Sequence, residues 1–175
     1  MGGCVRCGTV VRGIRAEGVI AWWRRCGEEC GELGLKQGVE GLKMASWSVL
    51  DWPLRWARAQ RQRPVIMSTD GLTRAAIDRI YNFFQHKNIN FALMHCTAIY
   101  PAPEEYLQLN YIDRLKKRYP DIHIGYSGHE APGELDAVKI AMAKGASLLE
   151  RHVGIPTETI NLNAYSMNPA ETEEW

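Results

Sequence analysis

The chain has 175 residues, of which 46% are hydrophobic and 23% charged, with a formal net charge of +1. This size allows one domain with a substantial core and a short extension, and the composition is ordinary for a globular protein. The near-neutral charge argues against nucleic acid or an anionic membrane as the main partner. No apolar run approaches the roughly 20 residues that span a bilayer. We therefore expect a cytoplasmic protein with reduced thiols and without a signal peptide.

Four of the five cysteines lie near the N-terminus, as two pairs: Cys4 with Cys7, and Cys26 with Cys30. Their spacing approximates that of a zinc ribbon, although the second pair has one residue too many. Residues 1–31 are rich in Gly, Arg, Cys and Trp and show no sustained period. We predict an irregular, disordered extension over residues 1–31. A structural zinc site on these cysteines is the alternative.

From about residue 32 the pattern becomes regular. Apolar runs of strand length begin 22, 27, 31 and 25 residues apart, close to the length of a βα unit, at 42–46, 64–68, 91–96, 122–127 and 147–152. Three segments between them, 72–86, 106–119 and 132–144, carry apolar residues at helical spacing. Strands that alternate with helices predict an α/β fold, with about five parallel strands and right-handed crossovers.

The C-terminal residues predict one more helix. Asn168 is a suitable N-cap, Pro169 suits the first helical position, and Glu171 places an acid in the first turn. The sequence then ends at Trp175, barely two turns later. Five parallel strands are compatible with an open sheet, and equally with the latter part of an eight-stranded TIM barrel.

Polar side chains collect at the ends of these otherwise apolar strands, where α/β folds build their active sites. Two histidines from neighbouring strands are suitable ligands for a divalent metal, whereas Ser and Lys suit a phosphate. Taken singly, each histidine also fits a structural hydrogen bond and each serine a helix cap. Together they predict an α/β enzyme with a phosphate-type ligand and a metal. The residues concerned are Lys43, Ser46, Ser68, Thr69, His95, Thr97, Ser127, His129 and His152.

Five segments occur in one order and at spacings that resemble the N-acetylneuraminate (sialic acid) synthase family. The resemblance covers roughly residues 33–175. The segments are LKMAS at 42–46, PVIMST at 64–69, MHCT with IYP at 94–101, IGYSGHE at 124–130 and LERH at 149–152. Any one of these motifs is weak evidence, and the ordered set is specific.

The resemblance implies that residues 32–175 form the C-terminal part of a TIM barrel, strands four to eight. It implies a transferase that condenses phosphoenolpyruvate with an N-acetylhexosamine such as N-acetylmannosamine. The products are a nine-carbon 2-keto acid and phosphate, in carbohydrate biosynthesis. It also implies a divalent metal, Mn²⁺ or Mg²⁺, and a homodimer for full-length members of the family.

Roles carry over by position within the matching motifs. His129 and His152 resemble the two metal ligands, which also makes them the catalytic pair. Tyr100 resembles a sugar-contacting tyrosine, and Asn163 stands where the family commonly has a sugar-contacting aspartate. The residues that resemble those holding the phosphate and carboxylate of phosphoenolpyruvate are Lys43, Ser46, Ser68 and Ser127.

Several positions depart from the family pattern, chiefly Ser48, Asp70, Ala98 and Asn163. Most of them belong to the sugar side of the site, which gives the hypothesis that the sugar substrate differs from N-acetylmannosamine. The early barrel strands and the C-terminal domain of the family have no counterpart in the sequence. We therefore expect a truncated chain with little or no activity, whose first 31 residues come from a wrong reading frame or a false start.

Two alternatives remain open from the sequence. One is another phosphoenolpyruvate-condensing barrel of the aldolase type, against which the segment 125–130 argues. The other is a non-catalytic fragment with a zinc-binding N-terminus.

Overall fold

The computed structural model describes residues 2–24, 38–45 and 63–175, the side chains of residues 2–8 and 24 excepted. These residues belong to two compact units. The first comprises Met1–Met67 and Thr73–Phe91, and the second comprises Ser68–Leu72 and Ala92–Trp175. Each unit contains parallel strands that neighbour one another in chain order, so the predicted α/β class is observed in both. No helix of the described residues is long and apolar enough to cross a membrane.

The first unit pairs three short parallel strands. Strand β2 pairs with β1 from Trp22↔Gly41 onward and with β3 from Leu42↔Val65 onward. Helix α2 begins after Thr73, whose side chain accepts a hydrogen bond from the Ala76 N–H. The elements are α1 (Gly2–Ala16), β1 (Trp22–Arg24), β2 (Gly41–Met44), β3 (Val65–Ser68) and α2 (Arg74–His86).

The prediction of an irregular start is wrong for Gly2–Ala16 and Trp22–Arg24, which form α1 and β1. Glycine-rich sequence has a low helix propensity, and tertiary contacts override it here. Val11 is buried, and Arg15 forms an ion pair with Glu40, with a distance of 3.0 Å between Nε and Oε1. The other carboxylate oxygen of Glu40 accepts a hydrogen bond from the Ala21 N–H. The parallel sheet therefore gains a strand that the sequence pattern did not predict. The boundary predicted at residue 31 lies outside the described residues.

The second unit has the same alternation of strands and helices. Strand β5 pairs with β4 from Ala92↔His123 to Cys96↔Ser127, and with β6 from Tyr126↔Leu149 to Gly128↔Arg151. The elements are β4 (Phe91–Cys96), a 3₁₀ turn (Glu104–Tyr106), α3 (Asn110–Arg118), β5 (His123–Gly128), α4 (Asp136–Ala143), β6 (Leu149–Arg151) and α5 (Pro169–Glu174).

Helix α5 confirms the predicted C-terminal helix, including its cap. The Asn168 side chain accepts a hydrogen bond from the Glu171 N–H at 3.0 Å. In return, the Glu171 carboxylate accepts one from the Asn168 N–H at 2.8 Å. This reciprocal capping box satisfies two N–H groups that a helix start would otherwise leave unpaired.

The register of β5 and β6 positions the polar groups that follow them. Ser127 lies opposite Glu150, and Gly128 lies opposite Arg151. His129 and His152 are therefore each the first residue after their strand, at the same edge of the parallel pair. In parallel α/β folds this carboxyl edge is where ligands bind.

Candidate functional site

The rings of His129 and His152 face each other across the carboxyl edge of β5 and β6. Their centroids lie 5.1 Å apart, with an angle of 45° between the ring planes. Imidazole nitrogens bind divalent metals at about 2.1 Å, so two rings at this separation can reach one ion between them. The sequence prediction that the two imidazoles come together therefore agrees with the geometry.

His129 is the buried member of the pair, with 5% of its surface exposed. Burial, followed by the neighbouring His152, lowers the pKa of His129 to about 4, against the opposing effect of Asp70, Glu150 and the Thr97 backbone. The imidazole is therefore neutral at physiological pH, which is the protonation state that binds metal. Its Nδ1 lies 3.6 Å from Cys96 Sγ. Contacts of this kind fix the ring orientation of a ligating histidine.

Two tyrosines surround the histidine pair. The centroid of the Tyr100 ring lies 4.3 Å from that of His129 and 5.3 Å from that of Tyr165. The Tyr165 ring meets His152 edge to face at 5.1 Å and His129 at 6.0 Å. Together the four rings form an aromatic cluster around the potential ligand nitrogens. Tyr100 was predicted as a site residue, whereas Tyr165 was missed because it lies in a loop without a motif.

Asn163, predicted to stand at a sugar-contacting position, orders the loop that carries Tyr165. Its side-chain oxygen accepts a hydrogen bond from the Tyr165 N–H at 3.2 Å, and its carbonyl accepts one from the Ser166 N–H. Side chains of Asn commonly bond the backbone two residues on and so fix a turn. The Asn163 side chain is thus part of the turn beside the aromatic cluster, and the residue itself is exposed.

Ser127 and Ser68, both predicted as phosphoenolpyruvate contacts, are buried in the second unit. The Ser127 hydroxyl donates a hydrogen bond to Glu150 Oε1 at 2.8 Å. To bind a phosphate through this hydroxyl, Ser127 would have to donate its hydrogen bond to the phosphate in place of Glu150. Glu150 is therefore a direct neighbour of the site.

Of the two remaining predicted phosphoenolpyruvate contacts, Lys43 and Ser46, the structure describes only Lys43, which belongs to the first unit. Lys43 is the third residue of β2 and is half-buried. Ser46 lies outside the described residues. The role predicted for both residues stays a prediction.

His95, the third strand-end histidine, is a structural residue. It is 5% exposed, and its Nε2 lies 2.7 Å from the Leu107 carbonyl oxygen, to which it can donate a hydrogen bond. Its ring also lies near Tyr111 and Tyr126. A buried histidine with a backbone partner is satisfied by the protein itself.

The donor set at the strand edge fits a divalent cation with open positions. Within the described part of the chain, no group of three or more His, Cys, Asp or Glu residues converges as a metal cage. Two imidazoles alone would leave the other ligand positions to water or to substrate oxygens. Such an open site is typical of catalytic rather than structural metals.

Comparison with known proteins gives one consistent family. The NeuB family model matches residues 31–174. The human N-acetylneuraminate-9-phosphate synthase is 31% identical over 133 residues, which is 75% of this chain and 36% of that protein. The spore coat polysaccharide biosynthesis protein SpsE of Bacillus subtilis is 32% identical over 152 residues, 85% of this chain and 40% of SpsE.

Solved structures agree with this result. A Chromobacterium violaceum protein assigned to spore coat polysaccharide biosynthesis superposes with a TM-score of 0.92 at 35% identity, over 98% of this chain and 51% of that one. This neighbour and related synthases are TIM barrels, so the predicted fold class, part of such a barrel, is confirmed. The chain spans about half or less of the length of these relatives. On its sequence and its fold, the chain belongs to the NeuB family.

Proposed function

We propose that this chain carries the metal-binding edge of a nonulosonate synthase, which condenses phosphoenolpyruvate with an N-acetylhexosamine to a 2-keto sugar acid and phosphate. The observation that carries the proposal is the facing pair of His129 and His152, with ring centroids 5.1 Å apart. Relatives named as N-acetylneuraminate-9-phosphate, legionaminic acid and pseudaminic acid synthases support this class of product.

His129 and His152 would hold Mn²⁺ or Mg²⁺. When bound, such an ion supplies a Lewis acid that polarises the carbonyl of an aldehyde substrate. The protein keeps His129 neutral by burial, and Cys96 lies against its Nδ1. Burial lets the imidazole bind without first losing a proton, and the contact with Cys96 restricts the orientation of the ring.

The aromatic residues would hold the sugar. The Tyr100 and Tyr165 rings, 5.3 Å apart, offer apolar faces against which the C–H groups of an extended sugar can pack. Because the rings border the histidine pair, they also displace water from one side of it, which strengthens electrostatic interactions there. The loop from Asn163 to Tyr165 would therefore influence which sugar fits, in agreement with the hypothesis of a sugar other than N-acetylmannosamine.

The Ser127–Glu150 pair would act on the phosphoenolpyruvate side. The carboxylate of Glu150 orients the Ser127 hydroxyl through a 2.8 Å hydrogen bond. Glu150 can also hold the proton that a water molecule releases when it adds to the substrate. A hydroxyl fixed in this way positions a polar substrate group at little further cost in entropy.

The test is metal and substrate binding by the chain, followed by turnover. Mn²⁺ bound to the chain is measured by electron paramagnetic resonance, and phosphoenolpyruvate binding by calorimetry with and without Mn²⁺. Released phosphate is then assayed with N-acetylmannosamine and with other N-acetylhexosamines. We expect Mn²⁺ binding that requires both histidines and that enhances phosphoenolpyruvate binding. Mn²⁺ binding unaffected by His129→Ala and His152→Ala would contradict the proposal.

A further inference from the structure

A fully buried ion pair lies directly beside the two histidines. Glu130 follows His129 in the sequence, and Arg151 precedes His152. The side chains of Glu130 and Arg151 are 0% and 2% exposed, and Glu130 Oε2 lies 3.0 Å from Arg151 Nη1. Each charged residue is thus the chain neighbour of one proposed metal ligand. Glu130 is next to the ligand that follows β5, and Arg151 is next to the ligand that follows β6.

The pair connects the backbone beside both ligands. Arg151 Nη2 donates a hydrogen bond to the Glu130 carbonyl, which belongs to the residue after His129. On the other strand, Arg151 Nε lies 3.0 Å from Met167 Sδ, and the Met167 N–H donates to the His152 carbonyl at 2.9 Å. One guanidinium therefore contacts the end of β5 and the segment that is bonded to His152.

The carboxylate is held equally firmly on its own strand. The Tyr126 hydroxyl donates to Glu130 Oε2 at 2.9 Å. Gly128 leaves the space for this carboxylate, because a Cβ there would come within 2.6 Å and 2.7 Å of the two oxygens. Tyr126 and Gly128 belong to β5 and Glu130 follows two residues later, so the carboxylate is held by the stretch of chain that carries His129.

Stability does not explain this arrangement. Removing two charges from water costs about as much as their attraction returns, so an apolar pair of similar volume is often neutral or stabilising. The Glu130 Oε1 atom is also buried without a hydrogen-bond partner, which adds to the cost. Arg151 Nη1 likewise has no hydrogen-bond partner, so the geometry of the pair is fixed by the bonds from the Tyr126 hydroxyl to the Glu130 carboxylate and from Arg151 Nη2 to the Glu130 carbonyl.

We propose that Glu130 and Arg151 are positioning residues, which hold the ends of β5 and β6 at the separation that lets His129 and His152 share one cation. The proposal rests on the proposed function for the identity of the cation. The positioning itself concerns only the two rings. Without the pair, the strand ends would still be paired, but the ring separation would no longer be fixed.

The test compares charge-removing variants with a matched surface control. Glu130→Gln and Arg151→Met are made singly and together, and Asp113→Asn removes the exposed Lys144–Asp113 ion pair of the same unit. Mn²⁺ affinity is measured by electron paramagnetic resonance, and folding by circular dichroism with urea. We expect the double variant to stay folded and to bind Mn²⁺ about 10- to 100-fold more weakly, as for other residues that orient metal ligands. Asp113→Asn should bind like the wild type.

A folded double variant with wild-type Mn²⁺ affinity would overturn the proposal. Should the Arg151 variants fail to fold, Glu130→Gln decides alone, because it keeps the size of the side chain and an acceptor for Tyr126. Should the wild type not bind Mn²⁺, the metal assignment fails, and crystal structures of the wild type and Glu130→Gln decide the positioning. A shift of about 0.5 Å or more in the 5.1 Å ring separation supports it, and an unchanged pair refutes it.

Discussion

The two ends of β5 carry the same kinds of side chain in opposite environments. At the amino end, His123 Nδ1 lies 3.0 Å from Ser147 Oγ, and both residues are exposed. They line a cavity of about 390 Å³ together with Lys116, whose Nζ donates to the Lys144 carbonyl. At the carboxyl end, Ser127 and His129 are 3% and 5% exposed.

The difference in exposure between the two ends distinguishes polar side chains that contact water from polar side chains that contact only protein. At the amino end the histidine and the serine bond each other and remain in contact with water, so their desolvation costs little free energy. At the carboxyl end the same groups are buried, where each needs a protein partner in place of water. A buried histidine, a serine and an ion pair that lie together at a strand edge are consistent with the metal and substrate roles proposed for this end. The comparison therefore supports the proposal that the functional site lies at the carboxyl end.

The largest expected effect is on Mn²⁺ affinity, when histidines at the carboxyl end are replaced by alanine and compared with the same replacement at the amino end. His129→Ala and His152→Ala each remove one of two proposed ligands. The loss of Mn²⁺ affinity should then exceed the roughly 10- to 100-fold that an indirect change causes. His123→Ala, at the amino end, should leave the affinity unchanged. Titration of each variant with Mn²⁺ measures its affinity. If His123→Ala bound Mn²⁺ as weakly as His129→Ala and His152→Ala, the two ends of β5 would not differ in metal binding.

Glycine replacements sharpen the same comparison. Gly128→Ala places a methyl group against the buried Glu130 carboxylate, which cannot move away, and should cost about 1–3 kcal/mol of unfolding free energy. Gly145→Ala at the amino end meets the flexible Lys116 side chain and strains a φ of +80°, for about 1 kcal/mol. Urea unfolding of both variants measures the difference. If Gly128→Ala cost less unfolding free energy than Gly145→Ala, the Glu130 carboxylate would be mobile.

A pH prediction concerns His95, which is paired with Tyr126 in the register between the two ends. Burial lowers the pKa of His95, against the raising effect of its bond with the Leu107 carbonyl. Below about pH 6.5 the unfolded chain therefore binds more protons than the folded chain. The free energy of unfolding should fall as the pH drops below 6.5, by at most about 1.4 kcal/mol per pH unit for this group. His95→Gln should flatten that part of the pH profile measured by urea unfolding.

The smallest effect is expected at the surface. The ion pair of Lys144 with Asp113 has a distance of 2.7 Å, yet the side chain of Asp113 is 53% exposed. Asp113→Asn should change the unfolding free energy by less than about 1 kcal/mol, since exposed pairs are screened by water and salt. A thermal or urea melt checks it. If Asp113→Asn lowered the unfolding free energy as much as Gly128→Ala does, then exposure would not distinguish the surface ion pair from the buried carboxylate.

Much of the second unit followed from local pattern. The strands predicted at 91–96, 122–127 and 147–152 are observed as Phe91–Cys96, His123–Gly128 and Leu149–Arg151. The first two strands could be predicted because buried parallel strands are apolar along most of their length. The cap of α5 could be read because Asn168 and Glu171 interact within a single turn.

Features that depend on distant partners could not be read from the pattern. The stripe predicted for 132–144 included Ile140 and Met142, which are 46% and 56% exposed. Tyr165 joins the histidines only because a turn returns the chain to the strand edge. Helix α1 forms in a glycine-rich segment, where Val11 is buried and Arg15 reaches Glu40. In each case the deciding contact is remote in sequence.

The sequence by itself determined the alternation of strands and helices, and the placement of His129 and His152 just after two of those strands. Spacing and apolar periodicity are local properties, and a parallel pair must bring its carboxyl ends to one edge. Only the tertiary structure decided that the two rings face each other, that Tyr165 lies beside them and that Glu130 and Arg151 are buried together. Those facts depend on register, packing and burial, which arise when separate segments of the chain exclude water from one another.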